Sequence, residues 1–447
     1  MRNSKFIRVL ERLKSTDVVW LGHRLQLLLG VLGPVPRPDV LVSNVTLVGD
    51  SNQVKKGINS PIKVIFFSHN LCYEGASISL KELILGLVHD GIVSPQIMAF
   101  EDGPLRFEYE SCGVPVRVLP RILHKVSTLN RLSNEVERLA LLINESGAEL
   151  VFVNTLLNFT AILAAERAGI PSIWNPRESE PWYSYFRFLP DPVAQQAIAS
   201  IGLPKKVVFV SQATRKVWST FDVEGRFEVI HNRINLNRFP LRNDLDNRKL
   251  SRIKLGLSDE TVAILCVGTL CERKGQMDLV EAFRALPGAI SSKVQILLVG
   301  DAGGKYPKVI KDRCRSLRHN GIRVIRPTDS IASFYAAADV FVLSSRVESF
   351  PRVVLEAMAF GLPIITTPVF GVLEQVVEGE NACFYSPGDS NTLAMEIEKL
   401  VSNEVLRSSM AKSSLQISSQ LTTFDEMVSS YADICREALG VACSTVK

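Results

Sequence analysis

Two stretches of this chain alternate short, almost wholly apolar runs with longer amphipathic ones, and that alternation leaves few folds open. The first begins after Pro61: residues 62–68 (IKVIFFS), 94–100, 114–119, 149–153, 171–174 and 206–210 are too short for helices and too apolar for surface strands. Helical patterns at 76–89, 129–146 and 160–168 lie between them. Strands buried on both faces and joined by helices predict a doubly wound parallel sheet. After a charged, loop-like stretch at 242–252 (RNDLDNRKLSR) the pattern restarts. Strands are expected at 261–267, 294–299, 322–325, 340–343 and 363–366, and helices at 277–286, 308–319, 331–338 and 353–360. The reading is α/β: two Rossmann-like, doubly wound parallel-sheet domains facing a cleft. Ligands of such sheets bind beyond the carboxyl ends of the strands, so the cleft is where chemistry is expected.

Length and composition agree. At 447 residues, with 46% hydrophobic and 22% charged residues, the chain has material for two large cores. Its net charge of +5 is mild and no long Lys/Arg run occurs, which argues against a nucleic-acid partner. The eight cysteines form no CxxC pair or zinc spacing, pointing to a reducing, cytoplasmic setting. No segment has the 18 or more apolar residues that a membrane span needs. Residues 1–60 stand apart as a basic extension. Arg2, Lys5, Arg8, Arg12, Lys14, Arg24 and Arg37 outnumber Glu11, Asp17 and Asp39 in the first forty, and Phe6, Val9, Leu10 and Leu13 fall near helical spacing. Such a stretch packs on the body of the protein or lies peripherally on the inner face of a membrane.

The most informative local text is 344–367, SSRVESFPRVVLEAMAFGLPIITT. A buried strand ends in VLSS, a loop carries Glu348, and a helix begins near Pro351, a residue suited to a first helical position. Glu356 follows Glu348 by eight positions. The amides of Phe350, Arg352 and Val353 would sit where the helix dipole favours an anion. Glu356, a turn later, can accept from ribose hydroxyls, and Glu348, with Ser349 beside it, from hydroxyls of a sugar over the same helix end. In VGTLCERKGQMDLVEAF, Gly268 and Thr269 follow a buried strand, while Arg273 and Lys274 offer cations for a diphosphate.

This region resembles the donor signature of retaining GT-B glycosyltransferases of family 4, the glycosyl transferases group 1 family. The resemblance runs over about residues 62–420 and is sharper after 261. It implies a nucleotide-diphosphate sugar donor held by Gly268, Thr269, Arg273, Lys274, Glu348, Ser349, Phe350, Pro351, Arg352, Val353 and Glu356. It also implies retaining, metal-independent transfer of a hexose-type sugar to a glycan, lipid-linked or small-molecule acceptor, with no cofactor, and a leaving phosphate that takes the acceptor's proton. Gly371 and Glu374 lie near the donor in the segment that closes the domain. The implied organisation is an extension (1–60), an acceptor domain (61–241), a donor domain (242–423) and a last helix (424–447) crossing back to the first domain.

The first half departs from the pattern. Relatives often pair two glycines at the first helix; here Glu74-Gly75-Ala76 keeps one, with His69 just past the strand as a further acceptor-side or phosphate-approach residue. Relatives commonly place a histidine and an acid after the strand ending at 174; here WNPRESEPW puts Arg177 and Glu178 there. Arginine is no general base at neutral pH. Arg177 can still stabilise charge as the leaving group departs, alongside Glu348 and Lys274 as catalytic candidates. Thr269 stands where many relatives have arginine. A donor-binding module without turnover, or an epimerase of the same fold, would share these residues. The loops at 123–130 and 179–191, with Trp182, Tyr183, Tyr185, Phe186 and Phe188, carry no code for an acceptor.

Overall fold

The run IKVIFFS forms strand β1 (Ile62–Ser68), with Val64 to Phe67 almost fully buried. A strand buried on both faces belongs in the middle of a helix-covered sheet, and β1 lies there. This computed structural model describes residues 60–120, 126–222, 224–239, 242, 244–317 and 321–441. The basic amphipathic extension, Cys443 and residues 123–125 of the 123–130 loop fall outside the described residues.

The first sheet contains β1, β2 (Val93–Ala99), β3 (Val116–Val118), β4 (Leu150–Asn154), β5 (Ser172–Asn175), β6 (Lys206–Phe209) and β7 (Phe227–Val229). Their order is β3-β2-β1-β4-β5-β6-β7, with parallel pairing throughout. Between and after the strands run α1 (Gly75–His89), α2 (Leu105–Ser111), α3 (Leu129–Glu145), α4 (Phe159–Ala168), α5 (Trp182–Tyr185), α6 (Asp191–Ala199) and α7 (Gln212–Trp218).

The second sheet follows α8 (Leu245–Lys254) and comprises β8 (Val262–Val267), β9 (Val294–Val299), β10 (Ile322–Ile325), β11 (Val340–Leu343), β12 (Ile364–Thr366) and β13 (Ala382–Phe384). These are parallel in the order β10-β9-β8-β11-β12-β13. Its helices are α9 (Gln276–Ala285), α10 (Gly288–Ser291), α11 (Lys305–Arg315), α12 (Ile331–Ala337), α13 (Arg352–Ala359), α14 (Ser390–Ser402) and α15 (Glu404–Gln420). The last helix, α16 (Phe424–Ala438), opens with a capping box between Thr423 and Glu426. It returns to the first domain, where Val428, Tyr431 and Cys435 join Leu80 and Ile84 in one core. No helix among the described residues is long and apolar enough to cross a membrane.

The charged stretch at 242–252 is not the loop its composition suggested. It contains most of α8, with Asp244 accepting the Asn247 amide at 2.8 Å as N-cap. The misleading residues are its arginines. Arg248 donates to the carbonyls of Ala336 and Ala338 and to Asp339; Arg252 donates to the Ala337 carbonyl and to Asp339. These arginines satisfy carbonyls left open at the end of α12. Leu245, Leu250 and Ile253 meanwhile face solvent, so the usual apolar-inside pattern is inverted. Edge strands β7 and β13, three residues each, were too short to read in sequence.

In each sheet the winding reverses beside the first strand, between β1 and β4 and between β8 and β11. Such switch points open a crevice at the strands' carboxyl ends. The loops after these four strands therefore position the site.

Candidate functional site

At the second switch point, the turn after β8 and the loop after β11 meet. Gly275 makes the approach feasible: its φ is +63°, and a Cβ there would lie 2.2 Å from the Ser344 carbonyl oxygen. No side chain fits. The turn it closes presents Lys274 to Glu348 in a close ion pair, and Ser345 donates to the same Glu348 oxygen at 2.7 Å. Exposed Arg273 hydrogen-bonds the Val347 carbonyl at 3.1 Å and is a second cation beside Glu348. Burial pushes the Glu348 carboxyl up, but Lys274, Arg273 and the Ser345 hydroxyl outweigh it and hold the group below its ordinary value. Gly268, with φ +147°, turns the chain out of β8, and Thr269 is exposed beyond it. A Cβ at Gly268 would make only ordinary contact with Lys274, so φ rather than space selects glycine there.

Helix α13 starts at Arg352, with Pro351 one place earlier, at the cap rather than the first helical position. Glu356 is buried and accepts from the Tyr335 hydroxyl at 2.9 Å. Here burial wins over Arg352 and Arg238, and the carboxyl is raised. The acidic pair thus differs in character although equally buried: close cations lower the Glu348 carboxyl, while at Glu356 burial outweighs its cations and raises it.

Three of the expected donor residues face the other domain. The Arg352 guanidinium pairs with Glu82 on α1 (2.9 Å and 3.0 Å) and lies 3.8 Å from Glu356, with Arg238 also on Glu82 at 2.7 Å. Phe350 is 2% exposed and stacks on His231, centroids 4.6 Å apart, while its carbonyl accepts from Asn232 at 2.9 Å. The Ser349 hydroxyl donates to the Arg177 carbonyl at 2.6 Å and accepts from Ser179 at 2.8 Å. These side chains join the domains. Glu374, read as near the donor, accepts the amides of Gln212 and Ala213, at 2.9 and 2.8 Å, and pairs with His231 at 2.9 Å. Its carboxylate caps the start of α7 across the seam. The Pro351 carbonyl accepts from Gln375, and the Val353 carbonyl from Tyr335 at 3.4 Å.

The first-domain wall is more occupied. Arg177 donates to Asn154 Oδ1 at 3.0 Å and closely to Asn232 Oδ1. Glu178 accepts the amides of Leu156 and Arg177, each at 2.9 Å, and the Tyr185 hydroxyl. It braces the loops after β4 and β5. Thr155, after β4, holds φ +71°, a conformation costly for a β-branched residue and maintained by these contacts. His69 lies 3.3 Å from Glu74, which Asn70 also binds at 3.0 Å; the hydrogen bond from His69 is the main reason the Glu74 carboxyl is lowered. Gly75 opens α1, and a Cβ placed on it would meet nothing within 4 Å; the Ala76 carbonyl accepts from Asn154 at 3.2 Å. In the aromatic loop, Phe186 is buried and Trp182 packs edge-on against Phe221, leaving Tyr183 and Phe188 exposed.

Sequence reasoning missed Ser345, Tyr335 and Glu82, while His231 and Asn232, in a segment resembling the family's inter-domain run, do lie at the seam. Ser345 was readable, being the last residue of the VLSS end; Tyr335 and Glu82 lie on other helices and left no local signal.

Two doubly wound parallel sheets, each with its switch-point crevice turned to a shared seam, and a last helix returning to the first domain define the GT-B fold. The family model described as Glycosyl transferases group 1 matches residues 247–416, within the second domain. It is similar to the capsular polysaccharide biosynthesis glycosyltransferase CapM of Staphylococcus aureus, at 29% identity over 44% of this chain and 52% of that protein. It is also similar to the lipopolysaccharide core biosynthesis glycosyltransferase LpsE of Rhizobium meliloti, at 32% identity over 36% and 46% respectively. The chain thus spans about half the length of the curated relatives it matches. Among solved structures, HepE of Anabaena in complex with UDP-glucose superposes with a TM-score of 0.72 at 22% identity, covering 84% of this chain and all of that one.

Proposed function

We propose that the protein is a glycosyltransferase that moves a hexose-type sugar, with retention, from a nucleoside-diphosphate sugar to a glycan, lipid-linked or small-molecule acceptor. The observation that carries this is the Lys274–Glu348 pair, set with Arg273 beside the start of α13 at the second switch point. A donor entering there separates opposite charges that now neutralise each other. Lys274, Arg273 and the first amides of α13 take the diphosphate; Glu348 takes sugar hydroxyls; Glu356, a turn along, takes the ribose. Two cations and a helix start supply the charge a departing diphosphate needs, so the reading requires no metal. The names of CapM and LpsE, and UDP-glucose in HepE, support a donor and acceptor of these classes. Closure of the seam excludes water, the competing acceptor.

A panel of UDP-, GDP- and ADP-sugars, followed by thermal shift, tests it. At about 100 times its Kd a true donor stabilises by about 2.7 kcal/mol, a rise of roughly 2–4 °C or more, and EDTA leaves that rise intact. Indifference to every sugar nucleotide, or a shift abolished by EDTA, would remove the reading.

A further inference from the structure

The first-domain wall holds a cation with no anion of its own. Arg177, partly buried in the loop after β5, makes two side-chain contacts, and both are neutral: Nε donates to Asn154 Oδ1 at 3.0 Å, and Nη1 donates closely to Asn232 Oδ1. Among the described residues no carboxylate lies within ion-pair distance of this guanidinium, and its Nη2 edge has no acceptor. The adjoining Glu178 carboxylate is taken by the amides of Leu156 and Arg177 and by the Tyr185 hydroxyl. By contrast, Arg352 and Arg238 have Glu82, and Arg346 has Asp278. Arg233 also lacks a carboxylate, but it is sealed at 7% exposure against Thr422, the Asn232 carbonyl and the Phe350 ring.

The two asparagines fix where the guanidinium lies. Asn154 ends β4 at the first switch point, and its own Nδ2 donates to the Ala76 carbonyl, at the opening of α1, at 3.2 Å. Asn232 donates to the Phe350 carbonyl at 2.9 Å, two residues ahead of α13. Arg177 therefore stands between the carboxyl end of β4 and the start of α13, where the first wall meets the donor helix. Burial is the main reason its hold on its proton is lowered, and Arg352 adds to this against Tyr431 and Glu178. The group nevertheless keeps its charge. A desolvated guanidinium held by neutral oxygens is a cost to the fold, and an arriving anion relieves it.

Resting on the function proposed above, we infer that Arg177 receives a carboxylate or phosphate carried by the sugar acceptor, so that the protein extends an acidic or phosphorylated sugar in preference to a neutral one. The donor's diphosphate is served from the other wall, by Lys274, Arg273 and the first amides of α13. Arg177 belongs to the first wall, and its remaining N–H groups form the planar edge that binds a carboxylate or phosphate through two parallel hydrogen bonds. The same anion carried by the transferred sugar is the other source of this chemistry, and the test separates the two.

Full-length protein saturated with UDP, or with the diphosphate of whichever sugar nucleotide the panel selects, is titrated calorimetrically with glucose, glucuronate and glucose 6-phosphate. Wild type is expected to bind an anionic sugar about tenfold or more tightly than glucose, a preference that weakens with added salt. Arg177→Gln removes the preference while UDP affinity stays within about twofold, and Arg177→Lys, which keeps the charge but not the fork, retains part of it. No measurable binding of either anionic sugar, binding equal to that of glucose, or a tenfold loss of UDP affinity in Arg177→Gln overturns the inference and leaves the function standing. Should Arg177→Gln not fold, the wild-type preference and the Arg177→Lys variant decide. A second arm compares UDP-glucuronate with UDP-glucose: a preference for UDP-glucuronate, with free anionic sugars no better than glucose, moves the anion to the transferred sugar and overturns the acceptor assignment. A wild-type protein that binds and turns over no sugar nucleotide overturns the function and the inference together.

Discussion

The two walls of the seam are the loops of two sheets built on the same plan, yet they hold their polar groups differently. Around the acidic pair of the second-domain wall the polar partners lie within that domain, with Lys274 and Ser345 on Glu348, Tyr335 on Glu356 and Arg346 forked onto Asp278, while Ser349, Arg352 and Glu374 of the same wall reach across. On the first-domain wall nearly every polar side chain ties loop to loop or reaches across, as Arg177 does to Asn232 and Ser179 to Ser349. One wall is a charged site assembled by its own domain. The other is held by contacts between its loops and across the seam. On the function proposed above, a crevice that admits a charged donor and then excludes water needs both kinds of surface.

The sharpest way to break this comparison is Glu348→Gln. If the donor wall is self-contained chemistry, the variant loses about 10³ in turnover, within the range for removal of one electrostatic contact to a reacting group. Its thermal midpoint stays close to wild type, since Ser345 can still donate to the amide oxygen. Turnover within tenfold of wild type would show that the acidic pair does not define the site.

The contrast between the walls also decides what could be read from sequence. The strands of both sheets were legible because strands buried on both faces carry continuous apolar text, and the donor wall because Ser344 to Glu356 is one contiguous strand–loop–helix segment. The side-chain directions were not legible. Arg352, a neighbour of the acidic pair in sequence, looked like a donor contact, but Glu82, buried on α1 and 270 positions away, holds its guanidinium. Glu374 and Glu178 were likewise drawn to backbone amides that only the folded chain brings near. The arginines of α8 were misread for the same reason: an arginine that satisfies helix-end carbonyls has the composition of a solvated loop.

The next effect is on stability. Arg352→Ala leaves Glu82 and Glu356 buried with one cation fewer. Breaking a buried pair costs about 3–5 kcal/mol, and because Arg238 still holds Glu82 the expected loss is near the low end, about 3 kcal/mol in urea unfolding. Donor affinity should change less than stability does, because Arg352 pairs chiefly with Glu82 across the seam and only at 3.8 Å with Glu356. A variant with wild-type stability and a lost donor site would reverse the assignment of this residue.

The smallest effect separates the walls by their glycines. Gly275 on the donor wall has φ +63°, and a Cβ would lie 2.2 Å from the Ser344 carbonyl oxygen, so Gly275→Ala must displace the Lys274 turn, at a cost of about 1–3 kcal/mol. Gly75, at the start of α1, has ordinary backbone geometry and open space where a Cβ would go. Gly75→Ala therefore should leave stability within about 0.5 kcal/mol of wild type, with helix propensity slightly in its favour. If its activity is also unchanged, that glycine has no role in the crevice. If instead the KM for donor or acceptor rises while the urea midpoint holds, the open space beside Gly75 is where a substrate approaches the backbone, and the first wall contributes a surface and not only a closure.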